Sequence, residues 1–202
     1  MQKNYYSPKK FRLLPSLGKT VSLAIFIALT SNAAIAQTTK GQYIRASIGY
    51  GISAPYDDVD TYGSGFYAQG EYLFNLRTWF SLRPYAGVIF TKTRKDDSAQ
   101  REPDDKITSN AFLIGGKARV TAPIPWVAPY VEGGIGASLG SFETYTAYTD
   151  IKKNGLLWHI PFSLGLQLGP EHNFDLGFTY YFHPSAEQFA GALAFGLSFP
   201  VD

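Results

Sequence analysis

Residues 42–52 read QYIRASIGYGI, and the alternate positions of this stretch fall into two classes. One class is apolar and comprises Ile44, Ala46, Ile48, Tyr50 and Ile52. The positions between them carry the only charge of the stretch, on Arg45, and most of its small residues. Successive side chains of a β-strand point to opposite faces, so this period of two predicts a strand with one apolar and one polar face.

The same period recurs along the chain and predicts eight strands, at about 42–52, 65–74, 80–91, 108–121, 128–140, 155–168, 174–182 and 190–200. The connections at 53–64, 92–107 and 141–154 are long and polar, those at 75–79, 122–127 and 169–173 are short, and 183–189 is intermediate. Alternating long and short connections are typical of an up-and-down barrel with all long loops on one side. The sequence therefore predicts an all-β fold, an eight-stranded antiparallel up-and-down barrel.

The first 36 residues have the build of a secretory signal peptide. Five Lys and Arg precede an apolar core at 21–29 that is too short to span a bilayer as a helix, and small residues follow at Ala34-Ile35-Ala36. A short membrane anchor is the alternative. We expect cleavage after Ala36 and a single barrel domain over 37–202. The remaining 13 basic residues stand against 16 acidic ones, a net charge of −3, so we expect no nucleic-acid partner.

The direction of the apolar face separates a membrane barrel from a secreted lipocalin-like binding barrel, because both show the same alternation. The polar faces are rich in small residues such as Gly134, Gly136 and Ser138, which fit a narrow interior, and the apolar faces are bulky and almost unbroken. Aromatic residues predicted to form two girdles at the membrane interfaces are Trp79, Trp126, Phe74 and Phe174 beside the short turns, and Tyr50 and Trp158 towards the long loops. We therefore predict that the apolar face points outward, into lipid.

With the apolar face outward, seven charged side chains point into the lumen: Arg45, Glu71, Arg83, Lys117, Arg119, Glu132 and Asp175. Strand direction places all seven in the half of the lumen nearest the short turns. An eight-stranded interior is just wide enough for side chains to fill, and an unpaired buried charge is costly. We predict an ionic network that closes the lumen. A gate or an ion path is the alternative.

These features together resemble the small outer-membrane barrels, namely the OmpA-type transmembrane domain and the opacity-like porin-family proteins. The resemblance is carried by the signal peptide, the eight strands, the loop alternation, the Pro-Tyr openings at Pro84-Tyr85 and Pro129-Tyr130, and the charged lumen. It implies the outer membrane of a Gram-negative bacterium, contact with its lipid and lipopolysaccharide, and insertion by the outer-membrane assembly machinery. The family usually ends its last strand in an aromatic residue, whereas this chain continues beyond Phe199 with Pro200-Val201-Asp202.

Few residues of the chain point to chemistry. The three histidines, His159, His172 and His183, lie far apart in the sequence with no Cys nearby, so we predict neither a metal nor another cofactor. Residues 183–187 weakly resemble the His-x-Ser motif of outer-membrane lipid A deacylases, which implies a catalytic set of His183, Ser185 and Glu187. The interposed Pro184 and the early acid depart from that pattern. An ordinary loop tip is favoured, and we predict a protein that is not an enzyme.

Function is then expected in the loops, which carry exposed chemistry on a rigid scaffold. The charged connection 92–107 and the Tyr-rich connection 141–154 are the candidate surfaces for a host or other surface ligand. We predict a monomer with a structural or surface-interaction role.

Overall fold

The computed structural model describes residues 41–56, 61–93, 106–146 and 148–201. Its strands are β1 (Gly41–Pro55), β2 (Gly63–Asn75), β3 (Phe80–Thr93), β4 (Lys106–Thr121), β5 (Val127–Tyr145), β6 (Asp150–Leu168), β7 (Phe174–His183) and β8 (Gln188–Pro200). Each strand pairs antiparallel with its neighbour in the chain, and β1 also pairs with β8. The predicted eight-stranded up-and-down barrel is confirmed.

The apolar half of each strand faces away from the barrel axis. Ile48 and Trp158 are 63% and 67% exposed, whereas Arg45, on the other face of β1, is 1% exposed. Such an outer surface has the polarity of a lipid-facing one, with the polar side chains turned inward. Within the described residues no helix is long and apolar enough to cross a membrane.

The six residues predicted as aromatic girdles all lie exposed on the outer surface. They are Phe74, Trp79, Trp126, Phe174, Tyr50 and Trp158. The first four lie at or beside the three short turns, and Tyr50 and Trp158 lie towards the other end of their strands. Their action as anchors at the two interfaces stays a prediction.

The largest difference from the predicted boundaries lies in β5 and β6. The predicted loop 141–154 is mostly strand, because the ladder continues from Ser141↔Asn154 to Tyr145↔Asp150. The alternation disappears here because the outward side chains become polar. Above an apolar band both faces of a hairpin can be polar while the backbone pairing persists. The prediction of a loop at 141–154 was therefore wrong, and the connection itself is only residues 146–149.

Other predicted segments lie partly or wholly outside the described residues. The signal peptide at 1–36 does so entirely, as does most of the charged connection 92–107, of which only the ends belong to β3 and β4. The connection 53–64 is described at both ends but not at 57–60.

Small residues on the inner face allow the strands to curve tightly. Gly134 and Gly133 are neighbours in β5 that face opposite sides. A Cβ on Gly134 would meet the carbonyl oxygen of Gly116 and lie 2.9 Å from Lys117 Cα, whereas a Cβ on Gly133 would meet nothing within 4 Å. Real Cβ atoms do not approach backbone that closely, so the inner position accepts only glycine without a backbone shift.

This pair gives a matched test of the packing inside the barrel. We expect Gly134→Ala to destabilise the folded barrel by about 1–3 kcal/mol, the usual cost of overpacking. Gly133→Ala should change stability by less than about 0.5 kcal/mol, as surface substitutions usually do. Urea unfolding in lipid vesicles, followed by the gel mobility of unheated samples, measures both. Equal effects of the two substitutions would contradict the assignment of inner and outer faces.

Candidate functional site in the lumen and at the long-loop rim

All seven inward charges predicted from the sequence are buried, and the structure brings them together in one layer near the short turns. We call this set, Arg45, Glu71, Arg83, Lys117, Arg119, Glu132 and Asp175, the ionic layer. Strand register creates much of it directly: Arg45 pairs with Glu71, Arg83 with Lys117, and Arg119 with Glu132.

Glu71 is the carboxylate at the centre of one half of the ionic layer. Its oxygens lie 2.5 Å from Lys117 Nζ, 3.4 Å from Arg83 Nη1 and 3.6 Å from Arg45 Nη1. Gln69 Nε2 also donates to Glu71 Oε1 at 2.6 Å. One carboxylate thus joins cations from β1, β3 and β4.

Arg119 organises the other half. Its Nε donates to Glu132 at 2.5 Å and its Nη1 to Asp175 at 2.6 Å, while its guanidinium lies 3.4 Å from the centre of the Tyr130 ring. Arg45 Nη1 reaches the same Asp175 at 2.8 Å, which connects the two halves across the lumen. The ionic layer is therefore a continuous network rather than a set of separate pairs.

A second layer of neutral polar side chains lies on the long-loop side of the ionic layer. We call it the hydrogen-bonded layer, and it consists of Tyr67, Gln69, Tyr85, Ser138, His159, Tyr181 and His183. Tyr67 and Tyr181 both donate to Gln69 Oε1, at 2.8 and 2.7 Å. Because Gln69 also donates to Glu71, the amide joins the two layers.

With both imidazoles neutral, the hydrogen bonds around Ser138 have one consistent set of directions. His183 Nδ1 donates to the Tyr181 carbonyl at 3.2 Å, and His183 Nε2 is then the acceptor of that ring. Ser138 then donates to His183 Nε2 at 2.8 Å and accepts from His159 Nδ1 at 2.7 Å. His159 Nε2 in turn accepts from Tyr85 at 2.5 Å. The chain is complete with both imidazoles neutral.

Apolar and hydroxyl side chains fill the lumen above these layers. Ile89, Ile107, Leu113 and Phe142 are at most 1% exposed. Beside them, Gln188 donates to the Thr108 carbonyl at 3.3 Å and accepts from Thr144. The described lumen is thus packed at three successive levels.

The candidate catalytic set is not assembled by the structure. His183 points into the lumen and bonds Ser138, whereas Ser185 and Glu187 lie exposed on the turn between β7 and β8.

The His159–Ser138–His183 arrangement was missed in the sequence. The sequence does show that all three residues occupy inward-facing alternate positions of β5, β6 and β7. It does not show that they meet, because Ser138 pairs in register with Leu157 and not with His159. All three of these residues are 0% exposed. The group that orients His183 is the Tyr181 carbonyl, whereas a catalytic triad would have a carboxylate there. Among the described residues, no group of three or more His, Asp and Glu side chains is placed to hold a metal ion.

The outer surface changes character on the β5–β6 hairpin. The row Phe112–Leu139–Leu156 is apolar, and the next outward row in register, Asn110–Ser141–Asn154, is polar. One row further, Glu143 lies between two lysines. Lys152 Nζ is 2.7 Å from its carboxylate, and Lys106 bonds its other oxygen.

We call Lys106, Glu143 and Lys152 the rim cluster. Both lysine side chains are 51% exposed, while the carboxylate between them is almost covered. The hydrogen bonds from Lys106 and Lys152 hold the pKa of the Glu143 carboxyl below its usual value. Two cations on one anion leave the rim cluster with a surplus positive charge on its exposed side.

Several solved structures are similar at low sequence identity, and those with a TM-score above 0.5 show the same fold. Neisserial surface protein A (NspA) matches with a TM-score of 0.56 and 14% identity, covering 80% of this chain and 97% of that one. OprG from Pseudomonas aeruginosa matches at 0.52 and 10%, covering 83% and 100%. Ail of Yersinia pestis, solved with the heparin analogue sucrose octasulfate, matches at 0.46 and 17%, covering 79% and 99%. No curated protein sequence matches significantly.

The sequence also matches a family model directly. The model describes the outer membrane protein beta-barrel domain, and the match spans residues 21–196, which is most of the chain. The closed barrel, its apolar outer surface and its charged lumen agree with that description. The chain therefore belongs to the outer membrane protein beta-barrel family, whose members lie in the outer membrane of Gram-negative bacteria.

Proposed function

We propose that the protein is a closed outer-membrane barrel that acts through its extracellular rim, with the phosphate groups of lipopolysaccharide as the partner of the rim cluster. The observation that carries the proposal is the difference between the polar groups inside the lumen and those at the rim. Those in the lumen bond to one another, whereas Lys106 and Lys152 present cations to the outside. Residues 1–36 are proposed to be the export signal, and a monomer is proposed as the working form.

Closure of the lumen is supported by the ionic layer. Glu132 is 3% exposed and binds Arg119 at 2.5 Å and Lys117 at 2.9 Å. Ions permeate a pore through water, and these side chains occupy the space that such water would need. The charges serve to hold opposite walls together rather than to attract ions.

The rim cluster is supported as a phosphate site by its height and its charge. It lies two rows above the apolar row that ends at Leu139. The phosphates of an outer-leaflet glycolipid lie beyond the hydrocarbon layer, so residues just above the apolar band are the ones expected to meet them. A lysine ammonium binds phosphate as a point charge without demanding one geometry. Glu143 holds both ammonium groups on the outer face, so they need not be ordered by the ligand.

A planar-bilayer recording tests closure. We expect no steady single-channel current from the refolded protein, because the packed lumen leaves no continuous water path. A porin recorded in the same bilayer shows that insertion and detection work. Large, steady conductance steps that scale with the amount of inserted protein would exclude a closed lumen.

Substitution of a single glutamate tests whether the ionic layer holds the barrel together. Glu132→Gln leaves Arg119 and Lys117 without a full counter-charge and should destabilise the barrel by about 3–5 kcal/mol. Glu143→Gln is the matched control at the solvent-exposed rim and should leave the urea midpoint almost unchanged. If the two variants unfold at the same urea concentration, the ionic layer contributes no special stability.

Binding to lipopolysaccharide tests the rim. The double variant Lys106→Gln, Lys152→Gln should bind phosphorylated lipopolysaccharide several-fold more weakly than wild type, and dephosphorylated lipopolysaccharide should not distinguish the two. Lys153→Gln, one residue away on the opposite face of the hairpin, should bind like wild type. Co-purification and thermal stabilisation in detergent measure binding. Equal loss in the Lys153 variant, or no loss in the double variant, would contradict a phosphate site at this rim.

A further inference from the structure

A small cavity lies between the ionic layer and the hydrogen-bonded layer. Its volume is about 20 Å³, which is room for roughly one small solvent species. Its wall includes the cations Arg45, Lys117 and Arg119 and the carboxylates Glu71, Glu132 and Asp175, with Ser47, Thr179, Gly177 and Ala194. The cavity is therefore lined by charges of both signs, and Gly177 and Ala194 leave space because they have little side chain.

Arg45 is the residue of this wall whose hydrogen bonds are incomplete. Its Nε donates to Ser198 at 3.0 Å, and its Nη1 lies 2.8 Å from Asp175 and 3.6 Å from Glu71. Its Nη2 is buried without a hydrogen-bond partner, and it is the one such side-chain nitrogen or oxygen in the described part of the chain. A buried guanidinium donor of this kind needs an acceptor.

The surrounding carboxylates do not supply that acceptor. Every oxygen of Glu71, Glu132 and Asp175 already accepts a hydrogen bond or an ion pair from another side chain. None of these oxygens lies within hydrogen-bond distance of Arg45 Nη2, so the chain itself leaves this donor unmet. The missing acceptor is then a species that enters the cavity.

The charge of the lumen decides between a water molecule and an anion. The ionic layer, all of which lies in the described ranges, has four cations and three carboxylates, so one positive charge of the layer is uncompensated. The nearby imidazoles of His159 and His183 are neutral in the hydrogen-bonded chain and do not change this balance. Water completes the hydrogen bond but leaves the buried charge, which is costly. A monovalent anion removes both costs.

We propose that this cavity is a binding site for a small monovalent anion, with chloride as the physiological ion. Arg45 Nη2 donates to the ion, and the Ser47 hydroxyl on the same wall supplies a second donor. Divalent oxyanions are excluded because they exceed both the volume and the missing charge. The inference goes beyond the proposed function and does not depend on what the rim binds.

Unfolding equilibria in different salts test the site with the whole folded protein. The barrel is unfolded and refolded with urea in lipid vesicles, with sodium chloride, bromide or gluconate at equal ionic strength. Gluconate is too large for the cavity. Above the dissociation constant, each tenfold rise in chloride should raise the folding equilibrium constant up to tenfold, because the ion binds only the folded state. Bromide should act like chloride, and gluconate should show no such dependence.

A variant that fills the cavity without removing a charge supplies the control. Ala194→Val adds methyl groups on the cavity wall and should abolish the chloride dependence. Ala118→Val makes the same change on the lipid-facing surface of β4 and should retain it. Crystals of wild-type protein that was refolded in sodium bromide should give an anomalous peak beside Arg45, and this test does not require that any variant fold. Equal stability in all three salts, chloride dependence that survives Ala194→Val, or no anomalous peak would overturn the proposal.

Discussion

The narrow interior of an eight-stranded barrel is the constraint on which the rest of this structure depends. Neither lipid nor bulk water can reach the inner face, so every inward polar group has to find its partner among the other inward groups of the barrel wall. Arg119 shows the consequence, since it is held by Glu132, Asp175 and the Tyr130 ring at once. The same constraint excludes a Cβ at Gly134, because the space inside is already occupied by backbone.

The two polar layers depend on each other. Gln69 accepts from both Tyr67 and Tyr181 and donates to Glu71, so its orientation is fixed from both sides. Above it, the chain from Tyr85 to the Tyr181 carbonyl uses each imidazole as one donor and one acceptor. An additional proton on either imidazole would make Tyr85 accept from His159 Nε2 instead of donating to it. The hydrogen bonds of the lumen therefore depend on one another. Arg45 Nη2 stands out against them, because it is the one buried side-chain nitrogen or oxygen of the described residues without a partner.

Much of this arrangement was accessible from the sequence because a strand has a strict period of two. The alternation of positions along each strand showed which side chains face inward. Counting residues from the turns placed Arg45 and Glu71 at a common depth, where the structure pairs them. Parity could not extend β5 to Tyr145, since the outward residues above the membrane are polar and the alternation vanishes while the backbone ladder continues. It also could not bring Ser138 between His159 and His183. That contact is diagonal across β5, β6 and β7 and depends on the register of two strand pairs and on the curvature of the wall.

The same physics separates where this barrel can be rigid from where it can bind. Inside the apolar band almost every donor and acceptor of the lumen is already used, so apart from Arg45 Nη2 a new ligand contact would have to replace an existing bond. On the outer face beyond Leu139 and Leu156 that restriction ends, and a charge such as Lys152, whose side chain is 51% exposed, costs little to expose. Glu143 then serves a different purpose from Glu132, although each carboxylate binds more than one cation: two for Glu143 and three for Glu132. Glu132 neutralises buried charge, whereas Glu143 spaces two exposed ammonium groups that stay available to an external anion.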